Sequence, residues 1–533
     1  MKNRWKVWGV ITLLFGSLSV EASEPVYVNV LSTGVVNDGV TMNTRALQSA
    51  IDSCAHAGGG TLYFPSGRYL TGSLFLRDNI TLFLEAGAVV LGSPDLKDYY
   101  LPEQSYISFR NDVAAVINAE YCRNIKLTGL GTFDGQGALF PIRYEAYRPK
   151  LFRFVGCENV GIQDLTFQNS AFWMMHVLAC KYVNIDGIKV HNRFCNVNND
   201  GMDIDNSQHV HISNCYIDAE DDGICLKSTS ADICRDITIT NCTLTSDCNA
   251  IKMGTETNTG FRNIAISNCV VYNTRYSGLA LEIVDGGVME NVLIKNIVMS
   301  RVNNPLFIRL GNRARPYHPD SLVRNVGSIK NIFISDIVAT EIGRFTDYAP
   351  VHRIEGEKRG SEYPCVISGI PGAPVESVTL SNLSFSFKGS RVLPVAGPIP
   401  EQEAMYPEYK MFGPLPAYGL YARHVKSLTL NNVVFSTDSA DSRVPVYCED
   451  IERLTLKGLD VEVSEQTPSY VMLKDVGHTT IFDSAFLERG PEPVVASGEV
   501  GPICLSGCIG PDGTSVEGRL QRGERENAIT RQP

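Results

Sequence analysis

The chain has 533 residues, of which 44% are hydrophobic and 20% are charged. This composition can bury a large core, and it excludes an intrinsically disordered protein. The 47 basic and 58 acidic residues give a formal charge of −11, which argues against a nucleic-acid partner, because phosphate contacts need a surplus of Lys and Arg. We therefore expect a folded protein that does not bind nucleic acid.

Residues 1–22 are typical of a secretory signal peptide. Lys2, Arg4 and Lys6 precede an apolar run from Val7 to Val20, which is short for a membrane span. A membrane anchor is the alternative, and it is disfavoured because no later segment reaches about 18 unbroken apolar residues. We expect cleavage after residue 22 and a periplasmic or secreted, monomeric mature protein without a membrane span.

The next segment predicts a capping helix within an N-terminal unit of residues 23–60. Asn43 is a favourable N-cap residue, and Leu47 and Cys54 share one face of a helix that extends to about residue 57. Three consecutive glycines follow and end the helix. Such a helix can cover the open end of a repeat structure.

From residue 61 to about residue 490, a short phrase with alternating apolar and polar residues recurs, which is the period of a strand. Its first aliphatic residue falls at Ile125, Val160, Val183, Val210, Ile237, Ile264 and Val292. The last four intervals are 27, 27, 27 and 28 residues. Short strands at this period, without an interleaved helical pattern, predict an all-β fold, the right-handed parallel β-helix, with coils about 4.8 Å apart.

The same period relates three cysteines. Cys215, Cys242 and Cys269 are 27 residues apart, so we expect buried thiols stacked in register rather than a disulfide framework. A zinc site is disfavoured because the cysteines form no close Cys-x-x-Cys pair. We expect neither a metal nor a cofactor.

Longer intervals later in the chain indicate insertions at 343–376 and 388–423. The second insertion contains five aromatic residues, namely Tyr406, Tyr409, Phe412, Tyr418 and Tyr421. These side chains can stack on sugars or pack the insertion against the solenoid, and packing is favoured for any single one. Residues 491–533 are interpreted as a frayed C-terminal extension, because the last part is charged and lacks apolar periodicity.

Carboxylates are densest near Asp200 and at the pair Asp221-Asp222. Asp200 and Asp221 are 21 residues apart, which is slightly less than one coil, so the three aspartates can share one surface. Glycoside hydrolysis needs such a group, because one acid must hold a proton while others orient water, and crowding raises the pKa of one member. Ordinary turns are the alternative, and they are favoured for either motif taken alone.

With these motifs the chain resembles the polygalacturonase-type glycoside hydrolases, family 28, over about residues 26–490. Asn198-Asn199-Asp200-Gly201 is similar to the family's Asn-Thr-Asp-Gly motif, and Asp221-Asp222 to its Asp-Asp motif. The resemblance implies a β-helix catalytic domain, here 61–490, and inverting hydrolysis of a pectic-type polysaccharide without a metal. Asp221 would be the general acid, Asp200 and Asp222 would hold the water, and Asn198 would contact substrate.

Two family motifs are missing. Asp247-Cys248-Asn249 stands where the family has Gly-His-Gly, and Ala280-Leu281-Glu282 where it has Arg-Ile-Lys. In the family the Arg and Lys engage the galacturonate carboxylate, and here Glu282 adds a negative charge instead, so we predict weak activity on plain homopolygalacturonate. A heteropolymeric pectin of the rhamnogalacturonan type is the predicted substrate. Lys252 and Arg309 are candidate replacement cations, and Glu282 is a candidate substrate contact.

Two other functions stay open on the sequence. A polysaccharide lyase on the same scaffold would use aspartates to bind Ca²⁺ and a Lys or Arg to remove a proton. A non-catalytic glycan-binding surface protein would use the solenoid only as a rod, because a fold does not fix a function. The two aspartate motifs at family spacing favour the hydrolase.

Overall fold

The computed structural model describes residues 26–106, 113–141, 147–192, 196–318, 321, 325–345, 363–390 and 397–520. These residues form a parallel β-helix with one α-helix, which confirms the predicted fold class. Its strand ladders are parallel except for the last pair. The predicted signal peptide, 1–22, lies outside the described residues. Within them, no helix has the length and apolar character needed to cross a bilayer.

Helix α1 (Thr44–His56) lies at the N-terminal end and buries Leu47 and Cys54, as expected. Asn43 occupies the N-cap position, but its side chain makes no capping hydrogen bond. Its Oδ1 instead accepts from the N–H of Val36 at 2.8 Å, and its Nδ2 donates to the Val36 carbonyl at 2.8 Å. Asn43 therefore ties the preceding loop to the start of the helix.

The coils up to the first aspartate motif are built from short strands. They are β1 (Val26–Asn29), β2 (Asp38–Met42), β3 (Gly60–Phe64), β4 (Gly67–Thr71), β5 (Leu74–Phe75), β6 (Ile80–Leu84), β7 (Ala88–Gly92), β8 (Ala115–Glu120), β9 (Arg123–Gly129), β10 (Thr132–Asp134), β11 (Lys150–Val155), β12 (Glu158–Gln163), β13 (Thr166–Gln168), β14 (Met175–Leu178), β15 (Lys181–Asp186) and β16 (Lys189–His191).

The remaining strands become longer where consecutive faces of a coil join without a break. They are β17 (Met202–Asp205), β18 (Gln208–Ser213), β19 (Tyr216–Ala219), β20 (Ile224–Ser228), β21 (Cys234–Thr240), β22 (Thr243–Ser246), β23 (Ile251–Thr257), β24 (Gly260–Ile283), β25 (Val288–Leu310), β26 (Ser328–Ile342), β27 (Cys365–Ser368), β28 (Val375–Phe387), β29 (Ala417–Thr437), β30 (Val444–Val461), β31 (Ser469–Phe482), β32 (Glu492–Ser497), β33 (Ile503–Ile509) and β34 (Ser515–Leu520).

The inner face of the coils is a continuous stack of apolar ladders. Val210 pairs with Ile237, and Ile237 with Ile264, so the predicted register is confirmed. The cysteines 215, 242 and 269 are buried free thiols, also as predicted. Because each inner position is covered by the coils above and below, the period of the sequence translates directly into the core.

Two predicted boundaries change. Strand β27 and the start of β28 lie within 343–376, so part of that predicted insertion belongs to the coils; its residues 346–362 lie outside the described ranges. The prediction of a frayed segment from residue 491 is wrong for 492–520, which form β32–β34 and bury Ile503 and Leu505 on the last coil. The antiparallel pair β33–β34 covers the C-terminal end.

Candidate active site

Two consecutive turns bring the three aspartates together. Asp200 lies just before β17, while Asp221 and Asp222 lie in the turn between β19 and β20. Strand β17 pairs with β20, and the N–H of Gly201 donates to the carbonyl of Asp222 at 2.9 Å. The carboxylates therefore lie on adjacent coils, as the spacing predicted.

Glycines allow the two turns to stack closely. A Cβ on Gly201 would lie 2.4 Å from the carbonyl oxygen of Gly223. A Cβ on Gly223 would lie 2.6 Å from the carbonyl oxygen of Ala250 on the next coil. Any side chain here would push the coils apart, so the Asp-Gly pairs of both motifs are needed for the spacing of the site.

Asp222 is buried but well paired. Lys252 Nζ lies 2.9 Å from its Oδ2, and Asn249 Nδ2 donates to its Oδ1 at 2.8 Å. Burial alone would raise the pKa of Asp222, but the ammonium groups of Lys252 and Lys227 and the Asn249 amide lower it below its usual value. Asp222 is therefore ionised at neutral pH.

Asp221 has the opposite shift although it is the adjacent residue. Burial, followed by the charge of Asp222, raises the pKa of Asp221 above its usual value. Its Oδ2 lies 3.4 Å from Asn198 Nδ2, and Asn198 in turn accepts from Arg148 Nη2 at 3.0 Å. Two carboxyl groups whose pKa values are pushed apart can divide the roles of acid and base.

Asp200 is held in a third environment. Only 3% of the residue is exposed, and the nearest cation is Lys227, whose Nζ lies 3.8 Å from Oδ2. Burial, then the carboxylates of Asp203 and Asp221, raise the pKa of Asp200 well above its usual value. Its ionisation thus depends on Lys227 and on the charge of its neighbours.

Lys227 is the central cation of the site, and sequence reasoning did not single it out. Its Nζ lies 3.4 Å from Asp203 Oδ1 and 3.5 Å from Glu256 Oε2, in addition to the contact with Asp200. It also lies 4.5 Å from the centre of the Trp173 ring. The alternation of side chains along β20 predicts that Lys227 and Cys225 face outwards. It does not predict their contacts, because the residues that contact them come from other coils.

A neutral histidine network supports the site from the N-terminal side. Lys150 Nζ lies 2.8 Å from His176 Nδ1, and His176 Nε2 lies 3.0 Å from Asp205 Oδ2. Burial, followed by the charge of Lys150, lowers the pKa of His176 to about 4. A neutral His176 accepts from Lys150 and donates to Asp205, so the ring is fixed at both nitrogens.

Glu282 lies beneath the site rather than on its surface. It is 1% exposed, and a Cβ on Gly254 would lie 2.8 Å from its Oε2. Burial raises the pKa of Glu282 to about 8 despite the nearby Lys252. The carboxyl is therefore protonated at neutral pH, which corrects the expectation that it adds a negative charge to the substrate site.

Arg309 does not reach the site. It is fully buried, and its guanidinium donates to Ser368 Oγ and to the carbonyls of Gly369 and Glu401, each at 2.8 Å. Its plane lies over Phe412 at 5.1 Å. The predicted substrate contact is wrong for Arg309, because its side chain is buried and bonded to the next coil at residues 368 and 369 and to the covering segment at residues 401 and 402. Lys252, by contrast, is at the site, bound to Asp222.

We call residues 397–416, the described part of the second insertion before β29, the wall. Tyr409 and Phe412 are buried in a cluster with Phe307 and Tyr421 on the outer sheet face, so packing explains them. Tyr406 is 48% exposed, and its ring lies 5.6 Å from Lys252 Nζ. One aromatic side chain therefore faces the site while the others hold the wall in place.

Further cations lie around Tyr406 and the turn of Asp221. Arg313 lies 5.7 Å from the Tyr406 ring centre, and its Nε donates to Asp285 at 3.0 Å. Lys410 Nζ, from the wall, lies 3.1 Å from the hydroxyl of Tyr276. We call the opening lined by Asp221, Lys252, Tyr406 and these cations the catalytic cleft. Each of these cations is paired with a carboxylate, Lys252 with Asp222, Arg313 with Asp285 and Lys410 with Glu408.

A parallel β-helix that gathers three aspartates in a cleft on its outer face has the architecture of a polysaccharide-processing enzyme. Residues 102–359 match the family model of glycosyl hydrolases family 28. Over these residues, slightly less than half of the chain, the protein is similar to this polygalacturonase-like family.

Individual relatives are similar over part of the chain. A probable polygalacturonase of Vitis vinifera is 34% identical over 37% of this chain and 43% of its own length. An exo-poly-alpha-D-galacturonosidase of Dickeya chrysanthemi is 28% identical over 38% and 42%. The matches thus span less than half the length of these relatives. The crystal structure of an exopolygalacturonase from Thermotoga maritima covers 77% of this chain and 91% of its own, with 21% identity and a TM-score of 0.60, which supports the fold.

Proposed function

We propose that the chain is an exported glycoside hydrolase that removes short products from the end of a pectic polysaccharide by single displacement with inversion. Asp221 donates a proton to the leaving oxygen, and Asp222 with Asp200 orients the attacking water. The observation that carries the proposal is the contact of Lys252 Nζ with Asp222 at 2.9 Å, which keeps Asp222 ionised, while burial and the charge of Asp222 raise the pKa of the adjacent Asp221.

The wall supports action at a chain end. It covers Phe307 and Tyr421 on the sheet face that continues from Lys252, so the cleft is closed on its C-terminal side. A polymer that enters the cleft then meets the wall with its end, and the bond next to Asp221 lies a fixed number of units from that end. The name of the Dickeya relative, an exo-galacturonosidase, agrees with this mode.

The basic side chains around the cleft support a substrate with uronate units. Lys252, Arg313 and Lys410 lie at Tyr406 or on the wall and offer N–H donors there, although each is paired with a carboxylate and the chain carries a net charge of −11. The missing Arg-Ile-Lys motif remains the reason to expect a branched or heteropolymeric pectin to be a better substrate than plain homopolygalacturonate. The charge of Glu282 no longer contributes to that expectation, because its pKa is raised to about 8.

The lyase alternative is disfavoured by the chemistry of the carboxylates. Asp200, Asp203 and Cys225 form one group that could hold a metal ion, and Asp221, Asp222 and Cys248 form another. Lysine ammonium groups already pair with an aspartate of each group. Burial raises the pKa of both thiols well above the usual value, so they keep their protons. These donor sets fit Ca²⁺, which prefers oxygen ligands, poorly.

Product analysis on a panel of polysaccharides tests the proposal. Polygalacturonate, rhamnogalacturonan-type pectin and branched pectins are digested with and without a chelator, and products are identified by mass spectrometry. We expect saturated mono- or disaccharides from the first minutes, with unchanged rates in chelator. Unsaturated, chelator-sensitive products would identify a lyase, and no product on any substrate would favour a glycan-binding surface protein. Fractionation of the source cells, with N-terminal sequencing, tests export and cleavage after residue 22.

A further inference from the structure

A second pocket lies on the same outer sheet face, on the far side of the wall. It has a volume of about 260 Å³ and is formed by the leg 397–399 of the wall, by Tyr447 and Glu449 of β30 and by Met472 and Lys474 of β31. We call it the rear pocket.

The rear pocket is in line with the catalytic cleft. The ladder that contains Lys252 continues through Ala280, Phe307, Val366 and Tyr421 to Tyr447. Five coil steps of about 4.8 Å place Tyr447 roughly 24 Å from Lys252 along the axis. The wall stands between the two, so a chain whose end lies in the cleft cannot continue straight into the rear pocket. A side branch or a second strand of the polymer can.

The walls of the rear pocket have the chemistry of a sugar site. The ring of Tyr447 stacks on Tyr421 at 5.6 Å, which holds it as a rigid platform. Pro398, Pro416 and Met472 add apolar surface around it. An aromatic ring with surrounding C–H groups suits the apolar face of a pyranose, while polar groups at the edge fix its hydroxyls.

The polar edge is present and carries no net charge. Lys474 Nζ lies 2.6 Å from Glu449 Oε1, and the hydroxyl of Tyr421 donates to Glu449 Oε2 at 3.2 Å. Ser442 also lines the pocket, and its buried Oγ has no hydrogen-bond partner within the described part of the chain. An unpaired buried hydroxyl is costly, and a ligand hydroxyl would satisfy it.

We propose that the rear pocket binds a neutral sugar unit of the polysaccharide that the catalytic cleft degrades, and so holds the enzyme on branched polymer. The inference rests on the proposed function for the identity of the polymer. The fixed ion pair favours an uncharged pyranose over a uronate, since Lys474 is already neutralised by Glu449. The result is a binding site that is separate from catalysis and acts only on polymeric substrate.

Affinity electrophoresis of the full chain tests this proposal. Asp221→Asn protein, which should not digest the gel, is run through gels that contain branched pectin with neutral side chains or plain polygalacturonate. Tyr447→Ala and Lys474→Met are added separately, with exposed Tyr182→Ala and Lys126→Met as matched controls. Thermal melts confirm that each variant is folded, and Lys474→Met is the second test should Tyr447→Ala disturb the wall.

We expect both rear-pocket variants to lose retardation in the branched-pectin gel by at least about 3-fold in apparent affinity, and the controls to lose none. With Asp221 restored, turnover of short oligosaccharides should be unchanged. Unchanged retardation in both variants would overturn the proposal, as would an equal loss in the polygalacturonate gel. A parallel loss of oligosaccharide turnover would also overturn it. If proteins that contain Asp221 are retarded in the gel but hydrolyse no substrate, the result would instead count against the proposed hydrolase.

Discussion

The catalytic cleft and the wall occupy consecutive parts of one outer sheet face, and buried basic side chains lie at the cleft and under the wall. In the cleft, Lys227 and Lys252 face carboxylates across neighbouring coils. Under the wall, Arg309 and Arg423 face backbone carbonyls of residues 399–402. The same kind of residue at the same kind of position thus pairs with the acidic side chains of the site in one region and anchors the wall in the other. The role of a basic residue on this sheet face therefore depends on which groups cover it.

The largest effect is expected from Asp221→Asn. The amide keeps the shape of the side chain but cannot donate the proton, so turnover should fall about 10²–10⁴-fold. Initial rates on the substrate found by product analysis measure the loss. Exposed Glu452→Gln on a distant coil is the control and should keep full activity.

A substrate with a good leaving group separates the acid from the residues that hold the water. Such a substrate should restore part of the rate of Asp221→Asn, because the leaving group no longer needs a proton. It should not restore Asp222→Asn or Asp200→Asn. Equal restoration of all three variants would contradict the assigned roles.

Lys227→Met tests the cation of the cleft. Removing one partner from a buried ionic group typically costs about 3–5 kcal/mol of stability, and three carboxyl groups lose their shared cation here. Their pKa values should rise, so the acidic limb of the profile of kcat/KM against pH should move to higher pH. Outward-facing Lys126→Met is the matched control. An unchanged limb in a folded Lys227→Met protein would show that Lys227 does not set the ionisation of Asp200.

Arg309→Met tests the wall. The variant loses its hydrogen bond to the wall at the Glu401 carbonyl and its bonds to Ser368 and Gly369 on the next coil, for a cost of about 2–4 kcal/mol in stability. The hydrolysis rate per bond should change little, but longer products should appear as the wall loosens. Chromatography of early products compares it with Arg301→Met, an exposed control. A fall in rate with unchanged product lengths would instead return Arg309 to a role in substrate binding.

The smallest expected effect concerns Glu282. Because burial raises its pKa to about 8 from an ordinary value of 4.5, the folded protein binds a proton that the unfolded chain releases between these pH values. The contribution of Glu282 to stability is therefore greatest at low pH and falls as pH rises from about 4.5 to 8. Glu282→Gln mimics the protonated form, so its Tm relative to the parent should increase over this range. A difference in Tm that is independent of pH would contradict the buried, protonated state.

The repeat made the inner face predictable, because every residue one period apart shares the same environment. The thiol stack follows from that rule, and the spacing of the aspartates placed them on adjacent coils, whereas the capping helix was predicted from its own apolar face. The outer face does not follow from it. The role of Arg309 depends on partners up to 93 residues away, and the contacts of Lys227 with Trp173 and Glu256 join three coils. The C-terminal strands were missed since their apolar residues are sparse and the last pair is antiparallel.

Following the anomeric configuration of the first product by proton NMR tests the central claim most directly. We expect that wild-type protein on a pectic oligosaccharide first forms a reducing end of inverted configuration, which then equilibrates by mutarotation, and that Asp221→Asn suppresses this signal. Retention of configuration, an unsaturated product, or an undiminished signal from folded Asp221→Asn would contradict single displacement with Asp221 as the acid.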